Sequence, residues 1–209
     1  MAVEYGGAPP GHICDDAPEA RGSTARLHGG SRVISPDPVA APSAYQAMLL
    51  ALLGSDDPLL AQAATLPNLR AVLTDAPTVI RQRPAPAEWS VLEVAGHILD
   101  AEIVYSGRYR FILAHDAPHL PGYDQDRWVD RLRHNDDDPE DLLAQFTALR
   151  AANLALWQRT PSAERARVGL HDERGPESYD LSFRLIAGHD RFHLDQARRT
   201  LAAVRPAAG

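Results

Sequence analysis

The sequence predicts an all-α protein, a four-helix bundle that follows a disordered N-terminal tail. Apolar residues recur at helical spacing in four long segments, helix-capping patterns precede these segments, and no convincing alternation of apolar and polar residues indicates a strand. A length of 209 residues suits one domain with a tail, and 44% apolar with 23% charged residues is typical of a globular domain. Amphipathic helices bury their apolar faces most simply against one another, as in a bundle.

The first 42 residues differ in composition from the rest of the chain. They are rich in proline and glycine and contain few large apolar side chains. Such a segment cannot offset its ordering entropy, so the sequence predicts a disordered tail over residues 1–42 and a bundle domain over residues 43–209. Cys14, in this tail, is the single cysteine of the sequence. One cysteine cannot form a disulfide framework or a cysteine-cluster metal site.

Net charge, the length of apolar runs and the N-terminal sequence argue against several kinds of partner and location. The formal net charge of −7 argues against a nucleic-acid-binding surface. No apolar run approaches the length that spans a membrane. The N-terminal residues lack the basic and apolar regions of a secretory signal, so we expect a cytoplasmic protein.

The first elements lie in the N-terminal half of the chain. An apolar stretch over residues 43–53 ends at Gly54. The sequence Ser55-Asp56-Asp57-Pro58 then predicts a helix start, because a capping side chain precedes a proline at the first helical position. The helix that follows carries apolar residues at helical spacing as far as Leu73, and Pro67 is expected to kink it.

The clearest helix start is Ser90-Val91-Leu92-Glu93, a capping box in which serine and glutamate satisfy each other's free amides. This second helix is expected to end near Ala114 and to be mostly buried, because it is apolar on most sides. The polar stretch over residues 115–138 predicts a long loop with a short helix near Trp128.

Two more long helices complete the predicted bundle. Asp138-Pro139-Glu140-Asp141 caps the third, which carries apolar residues as far as Trp157. The fourth begins near Asp180 and continues to about Val204.

Three histidines on the second and fourth helices predict a metal site. His189 and His193 lie one helical turn apart and project within about 40° of each other, on the face that should point into the bundle. His97 lies on the apolar face of the second helix. Three imidazoles can cap one divalent ion and leave positions open for water or substrate, and they suit zinc, nickel or iron(II).

Four polar residues near the histidines are candidates for secondary roles, and three of them have more than one interpretation. Asp100 could accept an imidazole N–H or face solvent, and Gln196 could hold a water on the metal or bridge two helices. Arg108, on the inward face beyond His97, could bind an anionic substrate group, or it could be ion-paired or extend to solvent. Glu102 points away from His97, which favours a structural ion pair.

Other histidine patterns predict no site. The sequence His189-Asp190-x-x-His193 approximates the zincin pattern, but aspartate is one methylene shorter than the glutamate that acts there, which argues against a metalloprotease. His134 and His171 lie in polar segments and are expected to be solvated.

Together these motifs resemble the DinB/YfiT-like superfamily. The residues that carry the resemblance are Glu88-Trp89-Ser90-Val91, then His97 to Glu102, and finally His189-x-x-x-His193-x-x-Gln196, in the family's order and spacing. The resemblance implies a four-helix bundle in which His97, His189 and His193 hold a divalent metal. Because members are commonly homodimers, it also implies a dimer.

The resemblance implies several activities. Relatives include bacillithiol transferases, the metal-binding domain of mycothiol-dependent maleylpyruvate isomerase, and proteins described as metal-dependent hydrolases. We therefore expect a metal-dependent enzyme that activates a low-molecular-weight thiol co-substrate for transfer to a small electrophile. Two alternatives stay open: hydrolysis by a water on the metal, and a non-catalytic bundle that acts by association.

Overall fold

A computed structural model describes residues 35–206, so most of the predicted tail lies outside the described part of the chain. The described residues form helices α1 (Pro42–Leu53), α2 (Pro58–Ala63), α3 (Thr65–Asp75), α4 (Val91–Ala114), α5 (Gln125–Leu132), α6 (Pro139–Arg159) and α7 (Tyr179–Val204). They also form strands β1 (His119–Leu120), β2 (Val168–His171) and β3 (Gly175–Ser178). None of the described helices combines the length and apolar character needed to cross a membrane.

The capping patterns place the long helices where the sequence predicts them. At the start of α4, the Ser90 hydroxyl accepts the Glu93 amide proton at 3.1 Å, and the Glu93 carboxylate accepts the Ser90 amide proton at 2.8 Å. The side chains of Asp138 and Ser178 accept amide protons from the first turns of α6 and α7, respectively. The all-α bundle prediction is confirmed for the long helices.

The segment before α4 differs from the prediction of one helix kinked at Pro67. The chain instead forms two helices that meet at Ala64. Pro67 has no N–H to donate to the carbonyl of Ala63, so the first helix cannot continue through it. Proline is tolerated in the first turn of α3, where an amide has no helical partner in any case.

The absence of strands was also a wrong prediction. β2 pairs in parallel with β1 and antiparallel with β3, with Leu170 opposite Pro176. Each strand has only two to four residues, too few for an alternating pattern to emerge from the sequence. The sheet packs against the C-terminal half of α4, where Gly169 lies against Ile112 and Leu120.

The core has two apolar clusters with a polar layer between them. Helices α4 and α7 run antiparallel, because Tyr109 contacts Tyr179 at one end while His97 contacts His193 nearer the other. One cluster surrounds the N-terminal half of α4 and the C-terminal half of α7, and the other surrounds the opposite halves. The candidate histidines lie at the junction of the two clusters.

Helix α1 packs against α7 at Gly188, the residue before His189. A Cβ atom at this position would lie 2.0 Å from the carbonyl oxygen of Leu49, which is a backbone atom that cannot rotate away. Glycine is therefore required here for close helix packing. Helix α1 thus lies directly against the segment that carries two of the candidate histidines.

A glycine pair tests this packing. Gly188→Ala should lower the free energy of unfolding by about 1–3 kcal/mol, because α1 must move away from α7. Gly107→Ala, in the middle of α4, should raise it by about 0.5–1 kcal/mol, because a Cβ there meets no atom within 4 Å. Urea unfolding measures the free energy of unfolding of both variants. An equal change in the two variants would contradict the close contact between Gly188 and the Leu49 carbonyl.

Candidate metal centre

The three predicted histidines converge through their Nε2 atoms. The Nε2 of His97 lies 3.0 Å from that of His189 and 3.2 Å from that of His193. All three side chains are buried. Helix α4 thus supplies one imidazole and α7 supplies two from successive turns, and the three rings meet between the helices.

This donor set fits a divalent metal ion. Two nitrogens bound to a tetrahedral ion at about 2.0–2.1 Å lie about 3.3 Å apart, close to the separations found here. Burial lowers the pKa of His97 and His193 well below the ordinary value, and the neighbouring histidines lower it further. The rings of His97 and His193 are therefore neutral, with lone pairs available to a metal.

Each α7 histidine has an acceptor near its outer nitrogen. Nδ1 of His193 lies 2.8 Å from Oε1 of Gln196, so that nitrogen donates and Nε2 carries the lone pair. Nδ1 of His189 lies 4.0 Å from Oδ1 of Asp190, and both atoms are buried without another hydrogen bond. A movement of about 1 Å would join them. Such acceptors orient the imidazoles that ligate metals.

Trp89 forms an aromatic wall beside the histidines. Its ring centroid lies 5.0 Å from that of His97 and 6.3 Å from that of His193. The Trp89 side chain is half-buried, so it contacts both the histidine rings and solvent.

A buried ionic network supports the triad from the side of α6. Arg150 donates to Glu102 at 2.8 Å and to Asp190 at 2.7 Å, and Thr65 also donates to Asp190 at 2.8 Å. Burial opposes the ionisation of Asp190, but the charge of Arg150 outweighs this and lowers the pKa of that carboxyl. The ion pair predicted for Glu102 is present, whereas Arg150 was not singled out from the sequence.

Comparisons with known proteins agree with this architecture. A family model of the DinB superfamily matches residues 61–197. The chain belongs to the DinB superfamily. A comparison with functionally curated proteins gives no match.

The DinB bundle also resembles a solved structure of YfiT from Bacillus subtilis, described as a probable metal-dependent hydrolase with an unusual four-helix bundle topology. The TM-score is 0.58 at 18% sequence identity, over 76% of this chain and 88% of the YfiT chain. At this identity the likeness shows a shared fold.

Asp100 lies outside the triad of this DinB protein. Its Oδ2 bonds Nε2 of His134 at 2.7 Å, while Nδ1 of His134 bonds Asp137 at 2.8 Å. The expectation that His134 is solvated is therefore wrong. The ring packs over Gly96, where an added Cβ would lie 2.3 Å from it. Asp100 does accept an imidazole N–H, but from the loop before α6.

The charge of His134 makes stability depend on pH. Burial lowers the pKa of His134, but its hydrogen bonds to Asp100 and Asp137 outweigh that and raise it above the ordinary value. The protonated His134 ring therefore stabilises the fold fully below about pH 6.5, the ordinary histidine pKa. This stabilisation is lost as the pH rises through the higher pKa that His134 has in the folded state. The difference in unfolding free energy between the wild type and His134→Gln should fall as pH rises, and a constant difference would contradict this.

His171 is likewise buried, which corrects the expectation that it is solvated. Its Nε2 lies 3.0 Å from Nη2 of Arg108, which also donates to the carbonyl of Pro121 at 2.7 Å. Arg108 lies on the inward face of α4, where the sequence placed it, and its side chain is buried. The alternative that it extends to solvent is therefore wrong.

Proposed function

We propose that His97, His189 and His193 hold one divalent metal ion, and that this protein is an enzyme in which the ion activates a low-molecular-weight thiol for transfer to a small electrophile. The observation that carries the proposal is the convergence of three buried imidazoles, with no fourth His, Cys, Asp or Glu ligand grouped with them in the described residues. A structural zinc site uses four protein ligands, whereas a catalytic one keeps a position open.

The protein's own residues would bind and orient. The imidazoles of the triad fix the position of the ion, Gln196 orients the His193 ring, and Trp89 limits access of water. An ion in this site would lower the pKa of a thiol or water in its open position and so generate a nucleophile. Zinc, nickel and iron(II) all suit the imidazole donors.

The acids near the triad favour a thiol over water. Asp100 is bonded to His134, Asp190 to Arg150, and Glu93 to Arg83. Each carboxylate is already held by a cation or an imidazole, which makes it a poor general base for water. A thiol has a lower pKa than water and needs less assistance to ionise on a metal.

Metal-dependent hydrolysis is the second candidate. The description of YfiT as a probable metal-dependent hydrolase favours it, since the two proteins share the fold. The same three histidines would hold the ion, and water would take the place of the thiol as the nucleophile.

Parallel assays distinguish these reactions. Protein loaded with zinc, nickel or iron(II) is incubated with glutathione, bacillithiol, mycothiol or coenzyme A and a panel of electrophiles, and thiol consumption is followed. We expect turnover by the wild type. His193→Ala removes a proposed ligand and should reduce this turnover more than the roughly 10–100-fold loss that follows when a residue beside a ligand is changed. His119→Ala, at an exposed histidine, serves as the control. Turnover of esters or amides without thiol would favour hydrolysis, and no turnover of either kind would contradict both.

The homodimer also stays a proposal. Light scattering after size-exclusion chromatography measures it directly. A mass near twice 22.8 kDa supports a dimer, and a mass near that of one chain contradicts it.

A further inference from the structure

A second buried polar cluster lies between α4 and the β2–β3 hairpin. It contains Arg108, which is 4% exposed, and Arg174, whose side chain is 10% exposed. Apart from its bonds to the Pro121 carbonyl and His171, the Arg108 guanidinium stands 5.0 Å from the centre of the Tyr105 ring. Its Nε atom is buried and makes no hydrogen bond to any described residue.

Among residues 35–206, only one buried carboxylate pairs with these two guanidinium groups. Nε of Arg174 donates to Oε2 of Glu177 at 2.7 Å, and the Ser182 hydroxyl donates to Oε1 of Glu177 at 2.6 Å. Both oxygens of that carboxylate therefore already accept a hydrogen bond. Nη2 of Arg174 is buried and has no acceptor in the part of the chain that the structure describes. The cluster thus holds one positive charge more than its buried carboxylate balances, which is costly away from water.

His171 increases the excess of hydrogen-bond donors. The amide of Glu173 points at its Nδ1 at 3.2 Å, while Arg108 points at its Nε2. Burial lowers the pKa of His171 to about 4, and the charges of Arg174 and Arg108 contribute to this. A neutral imidazole has only one acceptor nitrogen, so one of the two donors that face it is unsatisfied.

Three tyrosines surround the arginines. Tyr45 interacts electrostatically with Tyr105 and Arg174, and Tyr123 interacts with Tyr105 and Arg108. Burial raises the pKa of all three phenols, which keeps them protonated and able to donate. Tyr45 and Tyr123 are only partly buried, so the cluster reaches solvent between α1 and the loop after β1.

We propose that Arg108 and Arg174 bind an anionic oxygen group, such as a carboxylate or phosphate, of the small-molecule substrate. The excess positive charge and the two buried guanidinium nitrogens, which have no acceptor among the described residues, require acceptors that an oxyanion supplies. The nearby phenols are protonated and could donate to the same oxyanion. The assignment of this anion to the substrate rests on the proposed function.

The position of the cluster relative to the triad supports a single substrate. Arg108 follows His97 by three helical turns, within about 20° of the same face and about 16 Å along the axis of α4. Arginine side chains in helices lean toward the N-terminal end, here toward His97. The cluster therefore suits molecules whose anionic group lies at a distance from the reacting group.

Calorimetric titration of metal-loaded protein with succinate, inorganic phosphate and the uncharged analogue succinamide tests this inference. The wild type should bind at least one of the two anions but not succinamide, and the tighter anion identifies the group that the substrate carries. Arg108→Met and Arg174→Met should each weaken binding by roughly 10–100-fold, the value of a charge-assisted hydrogen bond. Arg159→Met, at an exposed arginine, should leave binding unchanged.

Metal analysis of the same samples separates the two proposals. A wild type that holds no metal after loading but still binds the anion would contradict the proposed function and leave the anion site intact. Equal anion affinity in the wild type and in a folded Arg108→Met or Arg174→Met variant would overturn the anion site, as would a wild type that binds neither anion. If circular dichroism shows that the Met variants are unfolded, Arg108→Lys decides: it keeps the charge but loses the planar fork, so unchanged affinity overturns the proposal.

Discussion

Replacing His97 and His189 together with alanine is expected to reduce the metal content from about one equivalent per chain to near zero. Each removed imidazole takes away one of three converging Nε2 donors, and His193 alone cannot hold an ion against dialysis. Elemental mass spectrometry of the purified wild type and the double variant measures the loss. It is the largest effect that we expect, because the proposed reaction depends on the ion.

A histidine outside the triad provides the matched control. His119 is exposed on β1 and bonds Asp172 in the turn after β2, away from the triad, so His119→Ala should keep the full metal content. Metal retained by the double variant would place the ion elsewhere. A wild type that takes up no metal even on titration would contradict the enzyme proposal and leave an interaction protein as the alternative.

Arg150→Met is expected to cause the largest loss of stability, about 3–5 kcal/mol. The change leaves the carboxylates of Glu102 and Asp190 buried without their shared cation. Burying an uncompensated charge costs far more than an ion pair at the surface contributes. Urea unfolding followed by circular dichroism measures the difference from the wild type.

The exposed pair of Arg70 with Glu140 offers a comparison with the same substitution. Arg70→Met should change the unfolding free energy by at most about 1 kcal/mol, because the Arg70 side chain is 48% exposed. Combining Arg150→Met with Glu102→Gln and Asp190→Asn should recover part of the lost stability, since no buried charge is then unbalanced. A loss at Arg150 no larger than that at Arg70 would contradict the buried network.

Local patterns predicted the parts of the fold that depend on neighbours in sequence. Capping residues predicted the starts of α4 and α6, and helical spacing put the start of α7 near Asp180 and the candidate histidines on inward faces. The small sheet could not be predicted in this way, because its strands are very short and β1 pairs with a strand distant in sequence.

The partners of the polar residues were harder to predict. Asp100 bonds His134 because a turn before α6 packs over Gly96, a contact that no periodicity encodes. The buried role of Arg150 had a sequence pattern that could have identified it. The residue lies seven positions after Leu143 and seven before Trp157, on the apolar stripe of α6, where an arginine needs a buried partner.

The position of Trp89 gives this protein an intrinsic optical reporter. Its indole lies against two of the three proposed ligands, whereas Trp157 stacks on Phe183 in the other apolar cluster. Indole emission is sensitive to nearby charge, and paramagnetic ions quench it at short range. Titration with nickel or cobalt should therefore dim the emission of Trp89, and a Trp89→Phe variant should lose that response. Metal uptake could thus be followed in real time without a label.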